Sequence, residues 1–137
     1  MGENPAHRFA LRVYFEDTDA GGVVYHASHL RFAERARTEW LRELGLAHRQ
    51  LIDQSGLIFV VKRLSIEYHR PARLDESLVV ETRVAGIGGA SVDLRQQIGR
   101  GGEGIATLDV VLACIRLATG RPARIPATLR ALIHPVS

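Results

Sequence analysis

The chain of 137 residues has little of what marks several protein classes. It holds one cysteine, Cys114, so no internal disulfide forms and a thiol-rich zinc site is not expected. The neighbours of Cys114 in VVLACIRL are apolar, which reads as a core thiol in a reducing compartment rather than a nucleophile. No run of about eighteen apolar residues occurs, so no membrane span is expected. The opening MGENPAHRFALRV lacks a long apolar segment before a cleavage site, and Ala6 stands where a myristoylation signal carries Ser or Thr. A cytoplasmic protein is the expectation. Aromatics are scarce, the arginines are scattered and no nucleic-acid-binding motif appears. The net charge of +3 therefore points to a small polyanion rather than to nucleic acid.

What is present suits one domain over residues 1–137, with no linker, repeat or low-complexity block. Hydrophobic residues make up 46% of the chain, enough for a core. RFALRVYF alternates and holds β-favouring residues, so it reads as a strand. SHLRFAERARTEWLRELG reads as the long helix. Leu30, Ala33, Trp40, Leu41 and Leu44 fall near one face, Phe32 and Ala36 widen that stripe, Ser28 is a candidate N-cap and Gly45 a stop. HRQLIDQSG adds a short helical turn. The period then changes. Strands are expected from about Leu57 to Arg70, then in SLVVETRVAGI, ASVDLRQQIGR and GIATLDVVLACIRLA, with GIGG and GRGGEG as glycine-rich turns. The tail is loop followed by a short helical turn. A strand, a long helix and four strands in meander imply an α+β layer with the helix on an antiparallel sheet. Val79, Val110 and Val111 suggest association through the sheet.

The densest signal is EDTDAGGVVYH, residues 16–26, where acids, glycines and apolar residues crowd together. Ordinary turn chemistry explains part of it. Asp before Gly bonds its own backbone, and glycine supplies positive φ. A buried loop carrying one working carboxylate explains the rest.

The whole stretch VYFEDTDAGGVVYHASHLRFAERARTEWLRELG resembles the opening of the Tol–Pal-associated acyl-CoA thioesterases, of the 4-hydroxybenzoyl-CoA thioesterase class within the hotdog-fold superfamily. FVVKRLSIEYHRPARLDESLVVET is similar to a later part of that family. The resemblance implies a hotdog fold, in which a five-stranded antiparallel sheet wraps one long central helix. It also implies a homotetramer built as a dimer of dimers, with active sites at subunit interfaces, and hydrolysis of acyl-CoA without a further cofactor or metal. Asp19 matches the family's catalytic aspartate, as general base or nucleophile. Glu16 and Asp17 read as turn or capping acids, Asp17 orienting the loop by backbone hydrogen bonds. The backbone N–H of His26 matches the group that polarises the thioester carbonyl, with Tyr25 beside it. Gly22 lets the backbone approach the substrate. Val60, Val61 and Lys62 correspond to a segment lining the acyl and pantetheine channel, with strand core as the plainer alternative. His69, Arg70 and Arg73, with Arg121 and Arg124, are candidates for the phosphates of coenzyme A. Glu34 and Glu39 on the helix read as solvated or interface residues. His29 stands where relatives carry an aromatic or Asn and is expected to affect acyl preference. Two other functions compete. A hydratase of the same fold would need an Asp–His spacing that is absent, and a non-catalytic partner would bind acyl-CoA or acyl carrier protein without turnover.

Overall fold

The computed structural model describes residues 6–133. The Met1-Gly2 reading and the last four residues of the tail lie outside it. Five strands form one antiparallel sheet: β1 (His7–Arg12), β2 (Leu57–Tyr68), β3 (Ser77–Ile87), β4 (Ser91–Arg100) and β5 (Glu103–Arg116). The helices are α1 (Ser28–Glu43), α2 (His48–Ser55) and the short α3 (Ala127–Arg130). Among the described residues no helix is long and apolar enough to cross a membrane.

The sheet order is β1-β3-β4-β5-β2. The expected four-strand meander is therefore corrected. Only β3, β4 and β5 are joined by hairpins, while β2 pairs with β5 at an edge and the chain then crosses to β3. The reason lies in the first half of the chain. α1 and α2 carry it to the far edge before β2, and the connection after Tyr68 passes the β4–β5 hairpin, where Arg100 donates to the Pro71 carbonyl, to reach β3. β2 ends at Tyr68, two residues short of the expected Arg70. It is interrupted by a bulge between Val61 and Arg63.

α1 forms because residues 28–43 hold no Pro, no Gly and a continuous apolar stripe. Phe32, Ala33, Ala36, Trp40 and Leu41 are buried against the sheet, while Leu30 and Leu44 lie half-buried at the margin. Burying a side chain such as Phe32 stabilises by about 1.5–3 kcal/mol. Gly45, at φ +80°, ends the helix. Gly45 N–H donates to the Arg42 carbonyl at 3.0 Å and Leu46 N–H to the Leu41 carbonyl at 2.8 Å, a Schellman closure with Leu46 buried beneath it. Ser28 is not the cap. Ala27 precedes the helix, and the Ser28 hydroxyl instead accepts a bond from Arg31 Nη2 at 2.9 Å.

On the sheet, alternation sorts the faces. Val92, Leu94 and Ile98 of β4 point inward with Leu108, Val110 and Cys114 of β5. Asp93, Arg95, Gln97 and Asp109 point outward. Val110 is thus a core residue and the outer face is charged. Val79 and Val111 are half-buried on that outer face, so of the three expected valines only Val110 is corrected to the core; the exposed Val60 and Val61 sit on the edge strand β2.

The return from β2 to β3 turns at Asp75, the one non-glycine residue at positive φ among those described, at 69°. Its N–H donates to the Val13 carbonyl at 3.0 Å, so the turn is held to the end of β1. Asp tolerates this region and a β-branched residue does not. Asp75→Gly is expected to be neutral or mildly stabilising. Asp75→Val is expected to cost about 1–3 kcal/mol, read from urea denaturation midpoints. An unchanged midpoint for the Val variant would show that the turn relaxes freely.

Candidate active site

Residues 16–26 fold as a small hairpin whose anchors are buried and whose tip is not. Asp17 is buried. Its Oδ2 accepts the Tyr14 N–H at 2.8 Å, and its carbonyl accepts the Tyr25 N–H at 2.9 Å. This is the orienting role expected of it. Thr18 and Val24 bridge antiparallel, and Asp19 N–H donates to the Val23 carbonyl at 2.9 Å. Val24 packs into the core while its N–H reaches the Ala72 carbonyl at 2.8 Å. Val23 bridges to Arg73, which stitches the hairpin to the crossing between β2 and β3.

At the tip, Gly22 has φ +80°, a conformation that suits glycine. A Cβ on Gly21 would come within 3.3 Å of Asp19 Oδ1, so Gly21 makes room for the carboxylate. Asp19 is exposed, and its two oxygens differ. Oδ1 accepts from Gly21 N–H at 2.8 Å and from Val23 N–H at 3.4 Å. Oδ2 has no hydrogen-bond partner among the described residues. The loop is therefore not buried as a whole, as expected from its apolar residues. Val24 and Asp17 are buried, whereas Asp19, Gly22, Tyr25 and His26 face outward.

The same anchors bring the loop to the start of α1. Ser28 N–H turns back to the Tyr25 carbonyl at 2.8 Å, and Leu30 N–H to the Ala27 carbonyl at 3.1 Å. The amides of His26 and Ala27 donate to no partner among the described residues. Free N–H groups at a helix start, with the positive end of its dipole, attract an oxygen that gains negative charge. The Tyr25 and His26 rings lie 4.2 Å apart between centroids. The His26 carbonyl accepts the Tyr68 hydroxyl at 2.8 Å and His29 Nδ1 at 3.1 Å.

The remaining candidates fall elsewhere. Val60 and Val61 line a cleft of about 230 Å³ with Glu34, Arg37, Thr38 and Phe59, between α1 and the edge strand. Lys62 stands at the β2 bulge, exposed, with no ion pair among the described residues. His69, on the outer face of the sheet, bonds Thr107 Oγ1 through Nε2 at 2.9 Å. Arg70 donates to the Gly104 carbonyl at 3.0 Å and lies 3.7 Å from Glu103. Both touch the β4–β5 hairpin, and Arg73 is tied to the same hairpin through Glu76, which accepts the Arg73 N–H at 2.7 Å and Arg100 Nη1 at 2.7 Å. Arg124 lies by Gly89, at the end of β4 opposite Arg100. A strand of that length spans about 30 Å, which separates Arg124 from Arg70. Arg121, whose carbonyl accepts the Arg116 N–H beyond β5, belongs to the same far end. Glu39 is 3.4 Å from Arg42, a surface pair on α1.

Sequence reasoning missed Tyr68, Arg37 and Gln96. Tyr68 was legible: it alternates in phase with Leu64 and Ile66, the inward side of β2. Arg37 and Gln96 carried no such signal. Gln96, on the inner face, accepts Arg37 Nη1 at 3.0 Å and donates to the Ala33 carbonyl and to Thr82 Oγ1, each at 3.0 Å. Among the described residues no group of three or more metal-ligating side chains converges.

Comparison with known proteins gives the family. The family profile of the thioesterase-like superfamily matches residues 13–133. An acyl-CoA thioesterase YbgC of Haemophilus influenzae is 44% identical over 126 residues, covering 92% of this chain and 93% of its own. The acyl-CoA thioester hydrolase YbgC of Escherichia coli O157:H7 is 38% identical over 123 residues, covering 89% and 91%. The solved structure of a probable thioesterase from Bartonella henselae superimposes with a TM-score of 0.84 at 40% identity, over 88% of this chain and 99% of that one. With the five-stranded sheet wrapped about α1 and the loop intact, the chain belongs to the thioesterase-like superfamily of hotdog-fold proteins.

Proposed function

We propose that the protein hydrolyses an acyl-CoA thioester to the free acid and coenzyme A. The observation that carries this reading is the pairing, on one stitched loop, of Asp19 with a free Oδ2 and of unpartnered amides at His26 and Ala27. The amide of His26 receives the carbonyl oxygen as negative charge develops, and Asp19 attacks the carbon directly or draws a proton from the attacking water. Tyr25 and Gly22 shape the approach. Val60, Val61 and Lys62 line the acyl and pantetheine path, and Arg73, with His69 and Arg70, takes the phosphates. The open edge of β2, with two exposed valines, supports self-pairing of two chains and, through them, a homotetramer. A cytoplasmic setting fits the reduced, buried Cys114.

The test is thiol release across short, medium, long and aromatic acyl-CoAs, with an acyl carrier protein thioester alongside. Turnover of at least one class is expected. Tight binding without any turnover would replace hydrolysis with the non-catalytic alternative.

A further inference from the structure

The candidate oxyanion amide belongs to the Tyr25–His26 peptide, whose carbonyl accepts the Ser28 N–H at 2.8 Å, and the peptides on either side of it are held by further bonds. On the upstream side, the Tyr25 N–H is held by the Asp17 carbonyl at 2.9 Å, and Asp17 is itself buried. On the downstream side the His26 carbonyl lies one residue before the N-cap Ala27, outside the helical ladder, and the Leu30 N–H goes to Ala27. Two side chains satisfy the His26 carbonyl instead: the Tyr68 hydroxyl at 2.8 Å from the end of β2, and His29 Nδ1 at 3.1 Å from the first turn of α1. The two rings meet edge to face at 4.9 Å, so each holds the other in place.

We propose that Tyr68 and His29 are positioning residues that act through the His26 carbonyl to hold the His26 N–H in line for the thioester oxygen. This rests on the reading of that amide given above. A carbonyl only accepts, so neutral His29 must carry its proton on Nδ1. His29 is buried, and burial lowers its pKa below the ordinary histidine value, which favours that neutral form. Desolvation raises the Tyr68 pKa, which keeps its hydroxyl protonated and donating. The clamp also explains why a histidine serves at position 29. A ring of that size, with a donor at the near position, reaches back three residues along its own helix.

A donor that positions an amide is needed most in the transition state, when the oxygen is charged, and little for ground-state binding. Tyr68→Phe and His29→Phe keep their rings and lose the donors. Each is expected to lower kcat about tenfold while KM stays within about twofold, less than the ~10²–10³ lost with an oxyanion donor itself. The double variant is expected to lose more than either. His26→Pro deletes the amide hydrogen and serves as the control for the underlying reading; it is expected to lose about a hundredfold in kcat. Thermal melts accompany each variant, and Tyr68→Phe, at a half-exposed ring, is the one that decides if another fails to fold. If His26→Pro is impaired while both clamp variants keep full kcat, the positioning role is wrong and the amide reading stands. If His26→Pro is fully active, the amide reading falls and the clamp with it. A rise in KM at unchanged kcat would mean that Tyr68 and His29 touch the substrate, which also overturns the proposal.

Discussion

Asp19→Asn is expected to lower kcat by about a thousandfold, within the ~10²–10⁴ range of a positioned acid or base. Asn is the informative replacement because of how the carboxylate is held. Oδ1 accepts from Gly21 and Val23, and an amide oxygen can keep both bonds. The loop should therefore stay folded and lose only the charge, with the melting temperature shifting by no more than a few degrees. Asp17→Ala is the contrasting variant. Asp17 is buried and its Oδ2 accepts the Tyr14 N–H, a bond that alanine cannot make, so this replacement should lower stability and carry activity down with it. Thiol release under saturating acyl-CoA, with melts of both variants, separates the two. An Asp19→Asn enzyme of full activity would show that the loop carboxylate does no chemistry.

The second large effect concerns stability. Arg37 is only 8% exposed and no carboxylate stands within ion-pair distance of it among the described residues. Burial draws the guanidinium pKa down, and Glu34 at the rim opposes this. The guanidinium rests on a neutral amide, Gln96, which is itself fully buried and turned by its bonds to Ala33 and Thr82. Removing Gln96 strands the cation. Gln96→Leu is expected to cost about 3–5 kcal/mol, the penalty for leaving a buried charge without its partner. Arg37→Met fills the space and leaves only a neutral acceptor short, so about 1–3 kcal/mol is expected. The double variant should be more stable than Gln96→Leu alone, because the stranded charge is gone. Urea denaturation of the three proteins measures this. Strict additivity would show that the two side chains do not depend on each other.

The parts of the fold that could be read from the chain are those governed by neighbours in sequence. α1 follows from its stripe and from the absence of Pro and Gly, and its end from Gly45 at positive φ. β3, β4 and β5 follow from alternation and from the glycine turns. Asp19 and Gly22 stood out because acids and glycines have no reason to crowd together unless a turn and a reacting group share the place. The strand order did not follow. β2 borders β5 rather than β3, and nothing local in LIFVVKRLSIEYHR distinguishes an edge from a centre. The phosphate candidates separated for the same reason: Arg121 and Arg124 fall at the far end of the sheet from His69 and Arg70, which meet the β4–β5 hairpin.

By itself, the sequence determined which segments are helix and strand, that one long helix must lie on a sheet, and that the loop of residues 16–26 holds a single carboxylate worth testing. These depend on periodicity and on backbone freedom, which act over a few residues. Only the tertiary structure decided how that loop is held. Ala72 and Arg73 grip it from the crossing, Tyr68 arrives from 42 residues away to take the His26 carbonyl, and Gln96 meets Arg37 from 59 residues away. Hydrogen bonds between such distant residues exist only once the sheet has closed around the helix, because unpaired polar groups are tolerated in water and not in a core.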